Sequence, residues 1–141
     1  IMRRNIRTGR TARDTLAVVV AALEAEGFVY TPFVNFGDID RQIVESFDQP
    51  TATGISIDCH VVGNTGNSQV AVGPSFAPFR ELRADLMIQS NNIFSFEFIT
   101  HTALPSFGNR RLRINFEDNV IVTNQGVELL YPRNERILLI R

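Results

Sequence analysis

The sequence predicts an α+β fold in which one N-terminal helix packs on a mostly antiparallel β-sheet, itself open to closure as a sandwich or barrel. Three observations carry this expectation. Residues 11–26 form an apolar, capped segment with helical spacing. Almost everything after them falls into short segments with two-residue alternation. Turn residues recur between those segments, and no linker or internal repeat divides the chain. The expected organisation is a basic arm over residues 1–10 and a single α+β domain over residues 11–141.

The helix is the best-marked element. Thr11 with Asp14 three residues later resembles a capping box, with Asp in place of the usual Glu. Asp14 also puts negative charge in the first turn, where the helix dipole favours it. Leu16, Val19, Val20 and Leu23 make one apolar stripe. Ala17, Val18, Ala21 and Ala22 leave little polar surface elsewhere, so cover on more than one side is expected. Gly27 supplies a left-handed stop.

Residues 28–36 read as a strand that Pro32 confines to an edge. Residues 37–50 suit a short helix or a strand equally. Residues 54–62 read as one strand, with Ile55, Ile57, Cys59 and Val61 on one face and Ser56, Asp58, His60 and Val62 on the other. A loop at 63–67 leads to a short strand at 69–72. Residues 79–89 are good helix formers, yet Leu82, Ala84, Leu86 and Ile88 alternate, which favours a strand turning at Ser90-Asn91-Asn92. The next strand, 93–102, places Phe94, Phe96 and Phe98 on one face, as core or interface. After a loop at 103–109, segments 111–116, 120–123, 127–131 and 137–140 complete an antiparallel meander.

Charge is divided along the chain. The net charge is −1, but residues 1–13 carry Arg3, Arg4, Arg7, Arg10 and Arg13 with no acid, hence +5, and the remainder carries −6. An arm of this kind is attracted to phosphate, to an acidic partner or to the acidic body of a neighbouring copy. All fourteen basic residues are Arg and none is Lys. Arg suits planar, multidentate contacts and is enriched at protein interfaces, where Lys is depleted. The absence of Lys also excludes every enzyme class that needs a catalytic lysine. Cys59 is the single cysteine, so no intrachain disulfide exists. No segment approaches the ~20 apolar residues that span a bilayer. The basic start followed by residues 16–23 imitates a secretory signal, but Glu24 and Glu26 stand where small residues mark cleavage. A virion or cytoplasmic location is expected, with no membrane partner.

Chemically capable residues are sparse. Asp58 and His60 share a strand face and could pair as base and orienter, whereas Cys59 points away and reads as a small buried hydrophobe. The plainer expectation puts Asp58 and His60 on the solvent side of a half-buried strand. Zinc would need scattered carboxylates beside only two histidines and one cysteine, so no metal or other cofactor is expected. Asp38, Asp40, Glu45 and Asp48 lack the order of a calcium loop. No phosphate-binding glycine motif or other catalytic motif is present, and no small-molecule ligand is evident. Nucleic acid could be held through the arm and Arg110-Arg111-x-Arg113, but the pI of about 6.1 lies far below the values above ~9 usual for such domains.

The expected function is therefore a non-enzymatic structural or assembly subunit of a homo-oligomer, partnered by other copies of itself and by further assembly proteins. Its arginine arm would leave its own subunit and dock on Asp38, Asp40, Glu45 and Asp48 of a neighbour. The alternatives are a small ligand-binding or enzymatic α+β barrel with a pocket around Asp58, His60 and His101, and a nucleic-acid-binding accessory protein. In size and element order, a leading helix followed by antiparallel strands, the chain resembles small bacteriophage virion proteins of the tail-terminator or neck type. That resemblance implies a ring that joins or closes a tail. It rests on no motif, so it transfers no site residue.

Overall fold

A computed structural model describes residues 1–32, 52–63 and 73–133. The acidic stretch with Asp38, Asp40, Glu45 and Asp48, and the strands expected at 69–72 and 137–140, lie outside the described residues. The fold is α+β, with two mostly antiparallel four-stranded sheets and no closed barrel among the described residues.

Helix α2 (Ala12–Ala25) is built as its sequence dictates. The Thr11 hydroxyl accepts from the backbone N–H of Asp14 at 3.1 Å and donates to the Asp14 carboxylate at 2.8 Å. That reciprocal bond satisfies one of the donors a helix leaves open at its start. Gly27 ends the helix at φ +87°. Ala12, Thr15, Val19 and Leu23 are buried, against β1 (Phe28–Tyr30) and the core. The opposite side, with Ala17, Val18 and Ala21, is exposed, so the expected second cover is not supplied by the described residues.

Three long strands carry the rest, and each bends from one sheet into the other. The first comprises β2 (Thr53–Ile57) and β3 (His60–Gly63). The second comprises β4 (Ile93–Ser95) and β5 (Phe98–Leu104), and the third β6 (Arg110–Phe116) and β7 (Asn119–Thr123). The bends fall at residues 58–59, 96–97 and 117–118. Backbone hydrogen bonds tie the bends together: Asp58 N–H to Glu97 C=O at 3.0 Å, and Phe96 N–H to Asp118 C=O at 2.7 Å. One sheet runs β1-β2-β5-β6 and the other β3-β4-β7-β8, where β8 (Gly126–Leu129) returns from β7. The two strands expected at 54–62 and 93–102 are thus each split at this shared corner, and the meander is folded over on itself. β1 pairs parallel to β2 at the end of its sheet, consistent with the edge that Pro32 requires.

The segment expected to be a strand at 79–89 is not one. Pro78–Arg83 is a kinked 3-10 turn, and Leu82 is 96% exposed. Residues 84–88 instead run beside the N-terminal segment: Gly9 and Ala12 donate to Ile88 and Leu86, and Ile88 donates back to Arg10. The alternation at 82–88 reflects only the burial of Ile88.

Residues 1–10, expected to act as a separate arm, are anchored to their own body. Met2 and Ile6 are buried members of the core, and a short helix α1 (Met2–Asn5) lies on β8. A Cβ on Gly126, where φ is +123°, would come within 2.5 Å of the Arg3 carbonyl oxygen. The reason is compositional: Ile1, Met2 and Ile6 interleave with the arginines, and burying each apolar side chain is worth about 1.5–3 kcal/mol. The five arginine side chains remain on the surface.

Candidate functional sites

Two places in this fold concentrate exposed or chemically capable groups, the corner of the bent sheets and the outer edge of β6. At the corner the bends interrupt the strand alternation, and each bend carries an acid: Asp58, Glu97 and the pair Glu117-Asp118. Asp58 is buried rather than on a solvent face, because residues 73–83 fold over β3. Phe76 N–H bonds to Cys59 C=O at 2.8 Å, and Arg80 forms an ion pair with the Asp58 carboxylate. Arg80 reaches it from the kink in the 3-10 turn and stacks over Phe79.

Burial pushes the Asp58 carboxyl up, against the opposing pull of Arg80 and His60. Glu97 is raised for the same first reason, and then by the negative charge of Asp58 and Glu117. The Glu117 carboxylate accepts from the Ser95 hydroxyl at 3.1 Å. Ligand atoms of Asp58, His60 and Glu97 all lie within 4.8 Å of one another. Cys59 is fully enclosed, its thiol donating to the Glu97 carbonyl at 3.3 Å and driven up by burial, as a small inert hydrophobe would be.

The structure thus brings Asp58 and His60 together, as their spacing allows, but not with His101. His101 is buried in β5 against Gly54, where an added Cβ would come within 2.0 Å of the ring. Its Nδ1 accepts from Arg111 at 3.2 Å, and its Nε2 faces the Thr31 hydroxyl at 3.5 Å. Burial lowers its pKa first, and Arg111 and Arg113 lower it further. A single pocket around Asp58, His60 and His101 is therefore replaced by two separate environments. Glu97 and Arg80 are the members of the corner that sequence reasoning missed. Neither left a signal in the sequence, since Glu97 between Phe96 and Phe98 is ordinary strand alternation with the acid on the opposite face.

The second place is β6. It is the last strand of its sheet, and among the described residues no strand pairs with its outer edge. Leu112, Ile114 and Phe116 share one face and are 43, 39 and 44% exposed. Phe116 stacks on Phe98 at 5.0 Å, and both line an open apolar groove of about 490 Å³ with Met2, Leu23, Phe28 and Ile55. Arg111, Arg113 and Asn115 occupy the other face, and Glu117 and Asp118 follow the strand's end.

Among the predicted arm residues, Arg13 binds Asp85 through two nitrogens at 2.7 and 3.1 Å, Arg3 approaches the Val127 carbonyl at 3.4 Å, and Arg7 the Arg4 carbonyl at 2.8 Å. These three bond within their own chain, and Arg4 and Arg10 are exposed. No described helix is long and apolar enough to cross a membrane. No protein-family model matches the sequence, and no curated protein matches it.

Proposed function

We propose that this chain is a non-enzymatic structural subunit that assembles with a second copy of itself by pairing β6 edge to edge. The observation that carries the reading is the self-complementarity of the exposed edge. In an antiparallel two-fold pair centred on Ile114, Leu112 stands opposite Phe116 of the second copy and Arg113 opposite Asn115, and Arg110 at the start of the strand lies towards Asp118 at the bend that follows the second copy's strand. Neighbouring registers fail this test. Centring on Arg113 sets two guanidinium groups on each other, and centring on Asn115 puts Leu112 against Asp118.

An exposed strand with three arginines is otherwise a strand guarded against pairing. Here the charges set Arg113 against Arg113 in one wrong register and place Arg110 near the acids at the strand's end in the register centred on Ile114. Exposed ion pairs contribute about 0.2–1 kcal/mol each, so they select the register. The backbone ladder and the Leu112–Phe116 contacts supply most of the affinity. This replaces the arm as the carrier of assembly. A symmetric contact closes at two copies, so the ring implied by the virion resemblance would need a further head-to-tail surface.

Light scattering across concentration and salt tests the proposal. A dimer that weakens with salt is expected, with Ile114→Arg reducing it to monomer and Ile114→Cys giving a disulfide dimer under oxidation. Arg110→Glu should weaken the pair, and adding Asp118→Arg should restore it. A monomer at all concentrations would overturn the reading, as would a dimer indifferent to Ile114→Arg. A monomer that loses much of its thermal stability with Ile114→Arg would show that the edge is covered within one chain.

A further inference from the structure

The corner cluster differs from a solvated acidic patch in three ways. It contains an imidazole, it is partly buried, and its donors converge. Asp58, His60 and Glu97 come from two different long strands, and the shared bend brings their ligand atoms within 4.8 Å of one another. Three donors at about 2.1 Å from one ion stand about 3.4–3.6 Å apart, so a shift of about 1 Å between side chains closes the widest separation.

A backbone carbonyl sits beside the His60 ring. The ring Nδ1 lies 3.3 Å from the Val61 carbonyl oxygen, which can only accept, a contact that favours the proton on Nδ1 and the lone pair on Nε2. A backbone carbonyl holding the far nitrogen in this way is the usual support of a metal-binding imidazole. Asp58 is supported similarly. Arg80 engages Oδ1 and leaves Oδ2 for a ligand bond. The charges are also uneven, since Asp58, Glu97 and neighbouring Glu117 carry three negative charges against one from Arg80. A dication would neutralise the remainder.

We infer that Asp58, His60 and Glu97 form a binding site for one divalent transition-metal ion. Two carboxylate oxygens and one imidazole nitrogen suit zinc or manganese rather than a thiophilic ion. Three protein ligands would leave positions on the ion for water. Arg80 and the Val61 carbonyl orient the donors without touching the metal. The ion would pin two of the three bends together, a role independent of β6 pairing.

The test uses the whole chain after chelator treatment, titrated with zinc, manganese and cobalt salts by calorimetry. One ion per chain is expected, with affinity falling at least about tenfold in His60→Ala and in Glu97→Gln. Because either variant could fold poorly, histidine 15N NMR on the unaltered protein gives a direct reading. With only two histidines in the sequence, zinc should shift His60 Nε2 and leave the buried His101 unmoved. Absence of stoichiometric binding, or a His60 resonance that zinc does not move, would overturn the inference. So would binding of equal strength in both variants, which would place the ion elsewhere, as on the acids at 38, 40, 45 and 48.

Discussion

β6 and β7 are two halves of one strand with the same alternation, yet they have opposite fates. In β7, Val120 and Val122 are wholly buried, because β8 returns through a two-residue turn and the N-terminal segment then covers β8. In β6, Leu112, Ile114 and Phe116 present an apolar face that stays about two-fifths exposed. The difference lies in the neighbours and not in the residues. Alternation identifies which face of a strand is apolar, but burial depends on what the rest of the chain places over it.

The largest effect expected from breaking this contrast is on the buried side. Phe94, in the strand beside β7, is fully buried and stacks on Phe76 at 5.4 Å. Phe94→Ala should cost about 3–5 kcal/mol in chemical denaturation. Gly126→Ala comes next, at about 1–3 kcal/mol, since it strains a positive φ and drives a Cβ into the Arg3 backbone. It should also release residues 1–6 from β8, seen as faster amide exchange there. A loss confined to global stability, with no local exchange, would mean that the N-terminal segment is held by something other than β8.

His101 provides a pH test of the layer behind β6. Its native pKa is lowered, by burial and then by Arg111 and Arg113, so the native state prefers the neutral ring. As pH falls below the ordinary imidazole value of about 6.5, the unfolded chain takes up a proton before the native one. The stabilisation is complete above that value and is lost on acidification towards the native value. Thermal melts should show this fall, and His101→Gln should flatten it. The smallest effect belongs to Ile114→Ala, within about 0.5 kcal/mol in dilute monomer. A larger loss there would erase the contrast between the two halves.

Part of this was legible in the primary structure. The cap and stop of α2 follow from local hydrogen bonding and stand as expected, whereas the buried stripe is Ala12, Thr15, Val19 and Leu23, with Leu16 and Val20 only half-buried. The α+β class followed from short alternating segments. The corner was not legible. Asp58 and His60 are close in sequence, but Glu97 joins them only because the long strands bend together, and Arg80 only because residues 73–83 fold over β3. The prediction for 79–89 failed for a related reason, since weak alternation there was satisfied by one buried residue and a kinked turn.

The sequence by itself determined the local elements, the unequal distribution of charge and the chemistry present, because each depends on neighbours within a few residues. It also set the order of charges along residues 110–118 on which the proposed pairing rests. Tertiary structure alone decided that residues 1–10 are tethered, that Asp58 is buried and that β6 ends its sheet among the described residues. Those outcomes depend on contacts between segments far apart in the chain, which no periodicity encodes.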